Sequence, residues 1–373
     1  MQVNDLTDVN EIDRNRSIVI YGSGITGKIC LDILEEHGYS VKYFIDDDIC
    51  KIGKCIYGKQ VISLDDFESK YEKKASTLII GSIYINAILS KLDKRVFYKC
   101  EDCKIVDMKD IYNQRKRIDV SRFITVHDKE YVKDNFDQLY EICPDFESRK
   151  VIDVMKKVYF EHYTGFDIYN DICSDEPQYF TKQVVSILKN RNNSILDGGA
   201  YHGEILSDLI RFGIPVKKLT LFEVEQKNYN KMLNNIESSI LGSKCVAVNQ
   251  GLWDKSGEIY IEGEGDTCRI SDRVTDKKMQ VISIDEFYKN NSVDFMKMDI
   301  EGAERQALKG GIGTIKRDRP VLAICIYHSP EDFVGIPIYL NDILEEYSYN
   351  ILHHTNEYVE SILYAIPDEL LYK

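Results

Sequence analysis

The stretch that decides the fold is Ile195-Leu-Asp-Gly-Gly-Ala-Tyr-His-Gly203, preceded by Ser194. Ser194, Ile195 and Leu196 read as a short strand, and Asp197 stands at its exit. Gly198, Gly199 and Gly203 then supply a turn that lets backbone approach a ligand closely. A second apolar run, 219–222, ends at Glu223, 20 residues beyond Gly203, where a carboxylate can accept hydrogen bonds from both hydroxyls of a ribose. Further strand candidates are 246–248, 295–298 and 321–327, with helical spacing between them, for example over 303–309. Such alternation argues for a parallel, doubly wound sheet.

A related pattern lies upstream. A strand over 17–21 runs into Gly22-Ser-Gly24-Ile-Thr-Gly27, and a helix through Ile29, Leu31 and Leu34 ends near Gly38. A second strand, 41–45, ends at Asp46, 19 residues after Gly27, and a third, 77–80, precedes Gly81. Gly22, Gly24, Gly27 and Asp46 fit the dinucleotide fingerprint, in which the helix N-terminus receives a pyrophosphate and the acid a ribose. Three readings stay open here: a turn built for helix packing, a nucleotide or nucleotide-sugar site, and an NAD-dependent oxidoreductase or epimerase. The last lacks a recognisable hydride-transfer residue. Between the two patterns, 119–192 holds only one glycine, Gly165, and carries helical spacing. The expected fold class is therefore α/β: two Rossmann-like doubly wound domains, 1–112 and 194–373, joined by a helical connector over 113–193.

Composition narrows the function. The 373 residues carry a net charge of −14, which opposes a phosphate backbone, and no local basic patch offsets it. Nucleic acid is thus excluded as a partner. The N-terminal residues lack the apolar core of a signal peptide, and no run approaches the ~20 apolar residues needed to span a bilayer. A soluble, cytoplasmic protein is expected, with its ten cysteines mostly reduced. Cys100 and Cys103 have zinc-like spacing but no second pair nearby, so no metal is predicted from them.

Several blocks carry a resemblance. They are 195–203, Leu221-Phe-Glu-Val-Glu-Gln-Lys-Asn228, Asn249-Gln-Gly-Leu-Trp-Asp254, and Phe295-Met-Lys-Met-Asp-Ile-Glu-Gly-Ala-Glu304 with Ala307-Leu308-Lys309-Gly310. Ile326-Tyr-His-Ser-Pro-Glu-Asp332 follows, and Pro177-Gln-Tyr-Phe180 stands upstream. In this order they resemble the FkbM family of S-adenosylmethionine-dependent methyltransferases over residues 194–366. The family loop usually reads Asp-Val-Gly-Ala-Asn-x-Gly, whereas Gly198 and Tyr201 stand here in place of Val and Asn. The resemblance implies a class I methyltransferase fold with S-adenosylmethionine as cofactor. It implies cofactor contacts from Asp197, Gly198, Gly199, Ala200, Tyr201, Gly203, Glu223, Val224, Gly251, Leu252 and Asp299.

For catalysis the candidates are Asp299, Glu301 and His328, with Glu304 close by. Asp299 ends one strand, Glu301 and Glu304 lie just past it at the turn into the next helix, and His328 ends the following strand, all toward the carboxyl edge of the sheet, where such folds bind ligands. Asp299 and His328 could act as an acid–base pair or ligate a divalent metal, although no metal is predicted. The plainer reading of Asp299 to Glu304 is a turn with an acidic helix start, and that of His328 is a structural histidine. The resemblance implies methyl transfer to oxygen, or to nitrogen, of a small-molecule or glycan acceptor. The upstream domain resembles those that precede sugar acetyltransferases. This likeness tilts the acceptor toward a nucleotide-sugar, glycoprotein or surface-glycan setting. A non-catalytic binding protein is the remaining alternative, and the helical connector is compatible with a homodimer.

Overall fold

Strands form where the sequence can bury both faces of a sheet, and the two halves of the chain do this separately in the computed structural model. The structure describes residues 3–5, 8–48, 51–70, 76–82, 88–89, 91–92, 103–107, 129–160, 167–262, 269–270, 275, 278–355 and 359–371. Cys100 lies outside them. Contacts divide the chain into two compact units, Met1–Thr125 and Val126–Lys373.

In the first unit the strands are β1 (Val3–Asp5), β2 (Ser17–Tyr21), β3 (Val41–Ile45), β4 (Cys55–Ile56), β5 (Lys59–Ile62), β6 (Ser76–Ile80) and β7 (Cys103–Asp107). They order as β1-β7-β6-β2-β3-β5-β4 and run parallel apart from β4, which pairs antiparallel with β5. Alternate residues of β2 serve opposite faces: Ile18 and Ile20 join one apolar cluster, Val19 and Tyr21 the other. The helix Ile25–Glu36 follows β2 and ends before Gly38, which takes φ +75°.

The second unit contains β8 (Asn193–Gly198), β9 (Val216–Phe222), β10 (Cys245–Val248), β11 (Gly251–Leu252), β12 (Gly257–Glu262), β13 (Arg269–Ile270), β14 (Lys278–Ile282), β15 (Phe295–Met298), β16 (Val321–Cys325), β17 (Tyr347–His353) and β18 (Ser361–Pro367). Its main sheet orders as β10-β9-β8-β15-β16-β18-β17, with β18 antiparallel to both neighbours. This is the doubly wound order 3-2-1-4-5-6 with one reversed strand inserted before the last. The topological switch lies between β8 and β15, and folds of this kind bind ligands at the carboxyl ends of the strands there. A small sheet, β11-β14-β12-β13, flanks it.

Both faces of the main sheet are covered. On one, Val132, Phe136, Ile152 and Met155 from the helical segment share a core with Leu196, Met296 and Phe333. On the other, Phe180, Val184 and Leu188 pack with Ile195, Leu221 and Phe295. The segment read from the sequence as a connector therefore contributes side chains to the core of the second unit. Among the described residues, no helix is long and apolar enough to cross a membrane.

Candidate functional site

Three strands leave the second sheet side by side and set the site. β8 ends in Asp197 and Gly198, β9 delivers Glu223, and β15 delivers Asp299. The turn after β8 needs glycine at 199, which takes φ +73°, and a Cβ there would overlap the Asp299 carbonyl. Its backbone is tied down by N–H donation from Gly199 and Ala200 to the Phe222 carbonyl, at 3.1 and 2.9 Å. Tyr201 also lies in the left-handed region at φ 49°, an arrangement that costs a non-glycine residue about 1 kcal/mol.

Glu223 is buried and accepts from the backbone N–H of Tyr201 at 2.9 Å and of Glu225 at 2.7 Å. Burial pushes its carboxyl up, and those backbone donors oppose the rise. Each of its oxygens keeps a lone pair that can accept from a diol. Apolar groups adjoin it. Leu252 Cδ1 lies 3.0 Å from the place a Cβ on Gly198 would occupy, and Val224 Cγ1 lies 3.4 Å from that on Gly251. Val224 is 42% exposed and can cover a flat apolar ring. The predicted residues 197–201, 203, 223, 224, 251 and 252 thus lie side by side.

Asp197 faces Lys297 rather than solvent, with its Oδ1 2.9 Å from the ammonium. Their side chains are 2% and 10% exposed. Burial alone would lower the Lys297 pKa, but the carboxylates of Asp197 and Asp299 hold it well above its ordinary value.

Asp299 is the centre of a second cluster. Its Oδ2 accepts from the Tyr179 hydroxyl at 3.0 Å and its Oδ1 from the Tyr327 hydroxyl at 3.1 Å. His328 lies between acids: Nε2 is 3.4 Å from Asp299 and 3.6 Å from Glu301, while Nδ1 is 3.3 Å from Glu304. Burial disfavours the imidazolium, yet the Glu304 hydrogen bond and the charges of Glu304, Asp299 and Glu301 outweigh it and raise the pKa to about 9. Glu360 completes the mouth, pushed up to about 7 by burial and by Asp299. Tyr179 is presented from a left-handed position, φ 62°, fixed by its N–H donating to the Tyr364 hydroxyl at 3.0 Å. That hydroxyl also pairs with His354 Nε2 at 2.9 Å, which gives His354 a supporting role.

Asp299, at the end of β15, Glu301 and Glu304, in the turn and first helical residue after it, and His328, after β16, therefore meet. Asp299, Glu304 and His328 also bring ligand atoms within 4.8 Å of one another. However, Glu304 and Asp299 face opposite ring nitrogens, a geometry that suits a protonated imidazole held between carboxylates. His202 stacks on Tyr201 with ring centroids 3.7 Å apart and pairs with Asn228, outside this cluster. The sequence reading missed Lys297, Tyr179 as a partner of Asp299, Tyr327 and Glu360. Only Lys297 carried a visible signal, a charge inside an otherwise apolar strand.

The upstream glycine loop is arranged differently. Gly22 takes φ +107°, and side chains at Gly22 or Gly27 would collide with backbone at Gly81 or Gly22. Asp46 accepts from the Ser23 N–H and the Asp48 N–H, both at 2.9 Å, and from the Ser23 hydroxyl. These bonds hold its pKa below the ordinary value even though burial acts to raise it. Gly24 caps the helix and has open space around it.

A doubly wound sheet with a reversed strand, a glycine turn after an acid, and a second acid one strand over together define the S-adenosylmethionine-dependent methyltransferase class. Residues 197–351, within the second unit, match the family model described as Methyltransferase FkbM domain, which supports an S-adenosylmethionine-dependent methyltransferase. The crystal structure of methyltransferase FkbM from Methylobacillus flagellatus KT shares the fold, with 20% identity and a TM-score of 0.59 over 94% of this chain and 89% of that one. Weaker likenesses include an rRNA methylase from Streptococcus thermophilus, with 13% identity and a TM-score of 0.33 over 49% of this chain and 90% of that one. Another is fibrillarin from Aeropyrum pernix with bound S-adenosyl-L-methionine, with 12% identity and a TM-score of 0.31 over 50% and 74%. No curated protein matches the sequence at a significant level.

Proposed function

We propose that the enzyme methylates an oxygen, with nitrogen as the second choice, of a glycan-related acceptor that approaches Asp299 at the carboxyl edge of the sheet. The observation that carries this reading is the polar mouth around Asp299. Two phenols and an imidazole lie within 3.4 Å of one carboxylate, beside the glycine turn. Bound S-adenosylmethionine supplies an already activated methyl group on a sulfonium. The chain's own work is then alignment, exclusion of water, and removal of a proton from the acceptor.

In this reading Glu223 holds the ribose hydroxyls, while Val224, Gly251 and Leu252 cover the adenine. Gly198 to Gly203 admit the amino-acid end near Asp197. Asp299 and His328 form the acid–base pair. The Asp299 carboxylate accepts the proton that leaves the acceptor, the imidazole, already protonated, orients that carboxylate, and Glu301 and Glu304 hold the imidazole in place. The carboxylate and phenol partners suit a hydroxyl-rich acceptor. The sequence likeness of the first unit to nucleotide-sugar domains supports a sugar nucleotide or glycoconjugate, and its thiols suit a reducing cytoplasm.

The test uses the full chain with methyl-tritiated S-adenosylmethionine and a panel of nucleotide-sugars, glycans and glycoproteins. Label on a sugar, lost in both Asp299→Ala and His328→Ala while each variant stays folded, supports the reading. Label confined to non-sugar acceptors overturns the glycan assignment. Full turnover in both variants overturns the acid–base pair.

A further inference from the structure

Lys297 occupies a place where an apolar residue would be expected. It belongs to β15, in register with Asp197 on β8, in the middle of a parallel sheet whose neighbouring residues Phe295, Ile195 and Leu221 are buried and apolar. Burying an ammonium there is unfavourable unless its protons are satisfied. Its ammonium donates to the Gly199 carbonyl at 2.8 Å and forms an ion pair with Asp197 Oδ1 at 2.9 Å. The Gly198 carbonyl is 3.5 Å away, at the outer limit of a hydrogen bond. The Tyr179 ring covers the ammonium from one side, with its centroid 5.2 Å from Nζ. The side chain keeps 10% of its surface exposed, and its ammonium is bonded to the glycine turn.

An acid and a base fixed side by side at the end of a ligand-binding turn form a receptor for a molecule carrying both charges on one carbon. The methionine end of the cofactor is such a group. We propose that Lys297 and Asp197 read the zwitterionic end of the cofactor together, Lys297 holding its carboxylate and Asp197 its ammonium. The proposal rests on the methyltransferase reading and extends it by a cofactor-selecting residue. By bonding the Gly199 carbonyl, the same ammonium couples occupancy of this end to the shape of the turn.

Calorimetric titration separates this role from a purely structural ion pair. The ligands are S-adenosylmethionine, S-adenosylhomocysteine and 5′-methylthioadenosine, which keeps the nucleoside and the thioether but lacks the amino-acid charges. Lys297→Met should weaken binding of the first two about 10-fold or more and change the third less than about 2-fold; Lys297→Arg should recover most of the loss. If Lys297→Met alone fails to fold, the double variant Lys297→Met/Asp197→Asn, which leaves no lone buried charge, should show the same selectivity. Equal weakening of all three ligands, or unchanged affinity for S-adenosylmethionine, overturns the role of Lys297 while leaving the methyltransferase reading intact. A wild-type chain that binds none of the three overturns both.

Discussion

His328 offers a test of the site's electrostatics that needs no acceptor. Its side chain is 10% exposed and lies 3.3 to 3.6 Å from three carboxylates, and its pKa is raised from the ordinary 6.5 to about 9. A displacement of that size favours the folded, protonated form by about 3 kcal/mol. The sign follows from linkage. Because the folded pKa is the higher one, the stabilisation is present in full below pH 6.5 and disappears as pH rises through about 9. His328→Gln lacks this contribution at every pH. The gap in stability between wild type and variant should therefore be about 3 kcal/mol at pH 6 and fall below about 1 kcal/mol by pH 9.5. Glu360 and Asp332, pushed up mainly by burial to about 7 and about 6, are both held down by the His328 charge, so they titrate at higher pH in the variant and belong to the same pH-dependent gap. Trp253 is the sole tryptophan and sits in the second unit, so urea unfolding followed by its fluorescence reports on the right half of the chain. A gap that stays constant with pH, or widens, would refute the account of His328 as an imidazolium held by carboxylates.

Other outcomes follow from the same geometry. Glu223→Ala should weaken S-adenosylmethionine and 5′-methylthioadenosine alike, by about 10- to 100-fold, since both carry the ribose; calorimetry showing unchanged affinity would remove Glu223 from the site. Gly199→Ala forces a Cβ into the Asp299 carbonyl at a positive φ, so it should lower the unfolding midpoint seen by Trp253 by more than about 2 kcal/mol equivalent and abolish cofactor binding. Tyr364→Phe strands the Tyr179 N–H and His354 Nε2, and should cost about 1–3 kcal/mol in the same unfolding assay; a neutral effect would mean that water replaces the hydroxyl at no cost.

Much of the second unit was legible because its local chemistry and its fold agree. The run before Asp197 is apolar and short, the turn glycines are needed where they occur, and Glu223 follows the next strand, so pattern and spacing alone place these residues at the carboxyl edge of the sheet. The upstream loop was legible as a turn, but its purpose was not. Spacing cannot reveal that Gly22, Gly27 and Gly81 pack backbone against backbone, or that Asp46 is bonded to Ser23 and Asp48. Strands as short as Cys55–Ile56 escaped because two residues carry no period. The helices of 129–189 were visible as helices, whereas their membership of the second core depends on which apolar faces meet.

The sequence by itself determined where strands must exit into glycine turns and which carboxylates stand at those exits, since these depend on neighbours along the chain. Tertiary structure decided what each carboxylate faces. Asp197 meets Lys297 across a strand register, Asp299 meets a tyrosine 120 residues earlier, and His328 is held between acids from the preceding turn. Those pairings set charge and proton affinity, and electrostatic energy depends on distance through space and on burial, neither of which can be read from order along the chain.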